Sequence, residues 1–358
     1  MNTTLELSEI NRRIGQLFMA GMPGPHLDEE TEALIRDYNI GGIILFSRNI
    51  EDPVQVARLC RDIQDASVKY HGFPIFLAVD QEGGRIARLR EPFTQFPGNA
   101  AIGMDDLPVE RAIEFALTTA KEMRLVGLNM DLAPVVDVRR GEPEKHLKDR
   151  IFGEDPDKVA LLGRTVVKTL QENGVMAVAK HFPGLGRADL DPHLNLPRIE
   201  LSKKDMEEVN LPPFKAAIDE KVTGIMTSHA IYPAHDPDLP GTLSPKVLTR
   251  LLREEMGYKG LIITDDLEMG AIALQWGVAE GALAAFEAGA DLLLICEHHE
   301  NLLKGMNLIR TKLLKDEISF QRLIDSNRRV VKARSKFLGR KEDITLEKVR
   351  EYYMSPKK

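Results

Sequence analysis

The sequence predicts an α/β fold, a (β/α)8 barrel in a single domain with extra C-terminal helices, on three observations. Eight short apolar runs recur along the 358 residues, and a segment with helical spacing follows most of them. The polar residues of these runs gather at their C-terminal ends, the face on which barrel enzymes carry their sites. Runs this apolar, without strict alternation, fit strands covered on both faces, as in a parallel sheet. A doubly wound sheet is the structural alternative on pattern alone.

In order, the runs are GQLFMA (15–20), GGIILF (41–46), FPIFLAVD (73–80) and LNMDLAPVVDV (128–138). VMAVAKHF (175–182), TGIMTSH (223–229), GLIITDD (260–266) and ADLLLIC (290–296) complete the set. Between them, residues 53–68, 109–126 and 157–172 place apolar side chains three and four apart, the spacing of one helix face. Residues 203–220, 245–255 and 270–288 continue the alternation, and helices over 302–314 and 319–337 close it. No Ser/Gly linker, composition break or short repeat divides the chain. It reads as one catalytic barrel over 1–340, followed by a charged tail over 341–358.

Composition narrows the partners. Hydrophobic residues are 43% and charged residues 29%, enough for a sizeable core. A net charge of −7 leaves no basic footprint, so neither nucleic acid nor an anionic membrane is expected as a partner. The first residues show no basic segment leading into an apolar one, and no run approaches the roughly 20 apolar residues of a membrane span. Two cysteines, Cys60 and Cys296, are too few for a disulfide framework. The expectation is a cytoplasmic monomer acting on a small molecule.

The densest chemistry lies in KHFPGLGRADLDPHLNLP (180–197). Lys180 and His181 end an apolar run, a Pro/Gly-rich stretch follows, and then come Asp191, Pro192 and His193. In an extended loop, side chains two residues apart point the same way, so Asp191 can reach the His193 imidazole. A carboxylate on one ring nitrogen fixes the tautomer, favours the protonated form and leaves the other nitrogen for proton transfer. His193 is therefore a candidate general acid/base; the plainer alternative is a turn-stabilising bond.

Asp80, Lys180 with His181, Ser228 with His229, and Asp265 with Asp266 stand at four run ends. Asp265, in ITDDLEMGA, is a candidate nucleophile toward an electrophilic carbon. The alternative is a helix N-cap, a task that Asp266 or Thr264 could take instead. Lys180 and His181 read plainly as buried polar groups that satisfy one another; at a barrel strand end a lysine more often binds substrate oxygens or forms a Schiff base, which would make the protein aldolase-like. In VDQEGGRIARLR, Asp80 with Arg88 suits bidentate bonding of sugar hydroxyls, with a structural salt bridge as the alternative. Arg85 and Arg88 would share one helical face if a helix begins there. Gly83 and Gly84 lack the spacing of a phosphate loop. CEHHE (296–300) has metal-ligand residue types without metal-ligand spacing and reads as a strand end entering a helix, so no metal is expected.

Together these segments resemble bacterial glycoside hydrolase family 3 β-N-acetylglucosaminidases of the single-domain, cell-wall-recycling type. The 180–197 segment is similar to the family's KHFPGHG block followed by D-S-H, and GGIILFSRN, VDQEGGRIARLR, LAPVVDV, DRIFGEDP and ITDDLEMGA follow the family's order from about residue 41 to 291. The resemblance implies a (β/α)8 barrel without the second α/β domain of many relatives. It also implies Asp265 as nucleophile, His193 as acid/base with Asp191 its partner, and Asp80, Arg88, Arg150, Lys180 and His181 as sugar-binding residues. The implied activity is retaining, exo-acting release of terminal GlcNAc from peptidoglycan fragments, namely GlcNAc-1,6-anhydro-N-acetylmuramic acid and its peptides, with no cofactor. Alternatives within the family are a β-glucosidase or β-xylosidase and a β-N-acetylglucosaminide phosphorylase; outside catalysis, a muropeptide-binding barrel. Two positions depart from the family pattern: Leu185 replaces the second histidine of the block, and Pro192 replaces the serine of D-S-H.

Overall fold

Side chains alternating at period two sort the core into two layers around eight parallel strands. The computed structural model describes residues 7–141, 147–187, 190–339 and 345–354. The strands are β1 (Phe18–Ala20), β2 (Gly42–Leu45), β3 (Phe76–Val79), β4 (Met130–Asp131), β5 (Met176–Phe182), β6 (Gly224–Thr227), β7 (Leu261–Asp266) and β8 (Leu292–Ile295). Each pairs in parallel with the next and β1 pairs with β8, so the barrel closes and leaves no sheet edge. Every strand lies within one of the eight predicted runs.

Phe76, Ala78, Met130, Met176, Val178, Leu261, Ile263, Leu292 and Leu294 fill the barrel interior. Their neighbours Leu77, Val79, Ala177, Ala179, Ile262, Leu293 and Ile295 face the surrounding helices. Both sets are apolar because both strand faces are covered. The fourth run is only briefly a strand. Pro134 has no amide to donate to the ladder, and beyond Asp131 the run continues beside β5 through an isolated Val135–Lys180 bridge and the bonds of Ala133, Pro134 and Val136 to Val178 and Lys180.

The helices Pro53–His71, Pro108–Leu125 and Pro156–Glu172 start on proline, where its missing amide costs nothing, and Asp52 and Asp155 cap two of them. The predicted helix over 203–220 is instead three consecutive pieces, Lys203–Asp205, a π-turn at Met206–Asn210, and Leu211–Asp219. Pro212 and Pro213 remove two adjacent donors there, which breaks the regular ladder. The helix predicted over 270–288 divides at Gly277 (φ +81°) into Gly270–Ala273 and Val278–Ala288. Lys246–Glu255 is wound as a π-helix. Within the segment read as a charged tail, Leu346–Met354 forms a helix against Pro53–His71, with Val349 buried. No helix among the described residues is long and apolar enough to cross a membrane.

Candidate active site

The interior-facing register continues past the apolar residues. Two positions beyond Ala78, Val178 and Ile263 stand Asp80, Lys180 and Asp265, so one alternation delivers three charged groups to the C-terminal mouth of the barrel. Lys180 is buried, and its Nζ donates to Asp80 Oδ1 at 2.7 Å and lies 2.6 Å from Glu82 Oε1. Burial would lower the ammonium pKa, but the two carboxylates outweigh it and raise it. A lysine so held is a poor imine-forming amine and a good charged anchor.

Glu82 joins the two cations of the site. Its other partner is Arg150, which donates from Nε and Nη2 at 2.8 Å each. Burial opposes ionisation of Glu82, yet Arg150 and Lys180 hold its carboxyl far below the usual range. Burial likewise works against Arg150, and Glu82 keeps it firmly charged. Arg88 reaches Asp80 Oδ2 at 3.5 Å and lies over the Phe46 ring. His181 places Nδ1 2.8 Å from Asp137 Oδ2 and Nε2 3.3 Å from Arg150 Nη2. Thus Asp80, Arg88, Arg150, Lys180 and His181 form one network with Glu82 and Asp137 as its links.

Asp131 supports the same region. It is fully buried, and its Oδ1 accepts the Gln81 amide at 3.0 Å, which fixes the segment bearing Asp80 and Glu82. Burial pushes its carboxyl well above the ordinary range, and Oδ2 has no hydrogen-bond partner among the described residues.

At the end of β7 the division of labour between adjacent carboxylates is clear. Asp266 accepts the Glu268 amide at 3.1 Å and so stabilises the turn. Thr264 Oγ1 accepts the Leu294 amide from β8. Asp265 is left to face the site, with Oδ1 accepting the Asp266 amide at 2.8 Å. Burial would raise the Asp265 pKa; His229, His181, Lys180 and that amide outweigh it and keep the carboxylate ionised. Asp266, buried beside Glu268 and Asp265, is instead pushed up to about 7. His229 is buried between the Asp266 carbonyl at 2.9 Å and Thr242 Oγ1 at 2.7 Å, and burial lowers its pKa.

The acid/base candidates sit on the loop after β5. His193 Nδ1 lies 2.6 Å from Asp191 Oδ1, and the His193 side chain is 61% exposed. The loop docks on the chain just beyond Asp265: the amides of Gly270 and Ala271 donate to the carbonyls of His193 and Pro192 at 3.0 and 3.1 Å. Pro192 is buried there, its ring replacing a serine whose hydroxyl this docking does not use. Leu185 is buried against Val135, Ile151, Ile199 and Tyr232, so the loop's root is held by apolar contact.

One expectation changes. No helix begins at Arg85; the stretch is a short hairpin, Gln81–Gly83 with Ile86–Ala87, turning on Gly83 (φ +84°) and Gly84 (φ +59°). Arg85 consequently pairs with Asp149, apart from Arg88 and Asp80. In CEHHE the side chains diverge: His298 binds Glu268, His299 binds the Gly21 carbonyl, and Glu300 meets Lys304. Glu82, Asp131 and Asp137 escaped sequence reasoning. Glu82 had a signal, since it follows Asp80 at the two-residue spacing of a shared face, and Asp137 is a carboxylate inside an apolar run.

The chain is similar to known proteins over most of its length. Residues 9–333 match the model of the glycosyl hydrolase family 3 N-terminal domain. A β-hexosaminidase of Alkalilimnicola ehrlichii is 39% identical over 292 residues, covering 80% of this chain and 82% of the relative. The structure of a glycoside hydrolase family 3 β-N-acetylglucosaminidase from Paenibacillus sp. superposes with a TM-score of 0.91 at 35% identity, over 95% of this chain and 67% of that one. NagZ from Neisseria gonorrhoeae, in complex with N-trifluoroacetyl-D-glucosamine, gives a TM-score of 0.78 at 29% identity over 95% and 94% of the two chains. A barrel of this topology and a family match over nearly its whole length lead to one conclusion: the chain belongs to glycoside hydrolase family 3.

Proposed function

We propose that the protein is a retaining, exo-acting β-N-acetylglucosaminidase that removes terminal GlcNAc from peptidoglycan fragments, acting as a cytoplasmic monomer. The observation that carries this reading is the pairing of an ionised carboxylate at the end of β7 with a separate, solvent-reaching Asp-His dyad docked on the same segment. Asp265 attacks the anomeric carbon while His193 Nε2 gives a proton to the departing glycosidic oxygen. A glycosyl-enzyme ester results. His193, now a base, takes a proton from water, which attacks the anomeric carbon and releases both sugar and Asp265. Two carboxylates normally share these roles in glycosidases. Here a histidine replaces one of them, which adds no second negative charge to a site already rich in carboxylates.

Asp80, Arg88, Arg150, Lys180 and His181 hold the sugar, their charges balanced against each other so that hydroxyls meet pre-oriented donors and acceptors. No step of this scheme needs a metal or cofactor. The preference for GlcNAc and for cell-wall fragments is supported by the names of the relatives and by the sequence blocks shared with the family.

Hydrolysis of a chromogenic β-GlcNAc should exceed that of the β-glucoside and β-xyloside at least tenfold; a glucoside preference would refute the substrate. Asp265→Ala should abolish turnover. His193→Ala should lose roughly 100- to 10,000-fold on poor leaving groups and far less on activated ones, because only the former need the acid. Equal loss across leaving groups would refute the acid role.

A further inference from the structure

We infer that Asp137 is a positioning residue with two jobs, fixing the His181 tautomer that faces the sugar-binding cations and anchoring the root of the acid/base loop. The inference rests on the hydrolase reading above. Asp137 is fully buried, with both carboxylate oxygens engaged. Oδ2 lies 2.8 Å from His181 Nδ1, while Oδ1 accepts the amides of Leu185 at 2.6 Å and His181 at 3.3 Å. One oxygen thus serves the imidazole and the other the backbone.

The first job follows from donor and acceptor chemistry. A carboxylate at Nδ1 places the proton on that nitrogen and leaves Nε2 as an acceptor. Nε2 faces Arg150 Nη2 at 3.3 Å, and a guanidinium can only donate. Arg150 cannot turn away, because Nε and Nη2 are both committed to Glu82 at 2.8 Å. The other tautomer would set N–H against N–H. Asp137 therefore keeps His181 and Arg150 compatible within one sugar-binding network.

The second job follows from where the other oxygen goes. Leu185 lies between β5 and the segment carrying Asp191 and His193. Its amide bond to Asp137 joins the apolar packing of its side chain to fix the start of that segment. The far end is fixed by Gly270 and Ala271. One buried carboxylate thereby links the sugar-binding cluster to the acid/base loop.

The two jobs separate by substitution. In Asp137→Asn the side-chain oxygen can still accept the two amides, while its NH2 faces Nδ1 and forces the proton to Nε2, against Arg150. The expected results are a switched His181 tautomer, N-acetylglucosamine binding weakened roughly 10- to 100-fold by the mispaired donors, and an unchanged dependence of rate on leaving group. Asp137→Ala removes both jobs, so the leaving-group dependence should also steepen. Nitrogen NMR of the imidazoles, with the His181 signals identified by their loss in His181→Gln, reads the tautomer. N-acetylglucosamine titration and a series of aryl β-GlcNAc substrates read the rest. An asparagine variant that keeps the Nδ1–H tautomer or binds N-acetylglucosamine like the parent overturns the first job. An alanine variant with the parent's leaving-group dependence overturns the second. Should the alanine variant fail to fold, Asp137→Ser, which keeps a small acceptor but cannot span both partners, takes its place with the same criteria. Failure of the parent to cleave any β-GlcNAc would instead refute the hydrolase reading, and the tautomer measurement would stand independently.

Discussion

Asp265 and Asp266 are adjacent and chemically alike, yet their surroundings drive them apart. Asp265 faces His229, His181 and Lys180 at the ends of two strands and stays ionised; Asp266 is buried, beside the carboxylates of Glu268 and Asp265, and holds its proton to about 7. Because Asp266 binds its proton more tightly folded than unfolded, it stabilises the fold fully below the ordinary carboxylate range. That contribution is lost as pH rises from about 4 towards about 7. Asp266→Asn, which keeps an acceptor for the Glu268 amide, should flatten this part of the stability curve, worth roughly 2–4 kcal/mol. Chemical denaturation at pH 5 and pH 8 measures it, and an unchanged slope would refute the assignment. At this scale the sequence was informative about residues that end strands, such as Asp80, Lys180 and Asp265, because strand ends and parity can be read from apolar runs. Glu82 and Asp137 act through contacts between elements distant in the chain, to Arg150 and His181, and no local pattern encodes those pairings.

The element that matters most is the loop from Leu185 to Pro197, which carries the acid/base candidates on a mount fixed at both ends. Its far mount depends on Gly270: a Cβ there would lie 2.8 Å from the His193 carbonyl and 3.1 Å from that of Leu194. Backbone atoms so close cannot yield without moving the loop. Gly270→Ala should therefore slow substrates with poor leaving groups roughly tenfold or more, with little effect on activated ones or on N-acetylglucosamine affinity. Parallel kinetics on the two substrate classes test this, and a uniform loss would contradict the docking role. Strands were legible because both of their faces are apolar, and the long helices because their spacing is regular. The π-turn before Leu211–Asp219 and the break at Gly277 were not, since periodicity persists across an irregular backbone.

For the whole molecule, chemistry and stability occupy opposite ends of the barrel. At the base, before β8, the fully buried Asp291 gathers Arg253, Arg322, Arg329 and Ser326 from Lys246–Glu255 and Phe320–Leu338. Burial and neighbouring cations lower Arg322 to about 10, so the cluster depends on its one carboxylate. Asp291→Ala should cost about 3–5 kcal/mol by leaving guanidiniums without a counter-charge. Its kcat per folded molecule should be unchanged, because the catalytic end is untouched; a lowered kcat at full folding would show that the ends are coupled. The central proposal for the opposite end is that Asp265 makes a covalent bond that His193 helps to form and break. Its most direct test is mass spectrometry of peptides from His193→Ala reacted with an activated β-GlcNAc, in which deglycosylation lacks its base. One N-acetylhexosamine on Asp265 is expected. An adduct on Asp266, or no adduct together with an inverted first product, would contradict it.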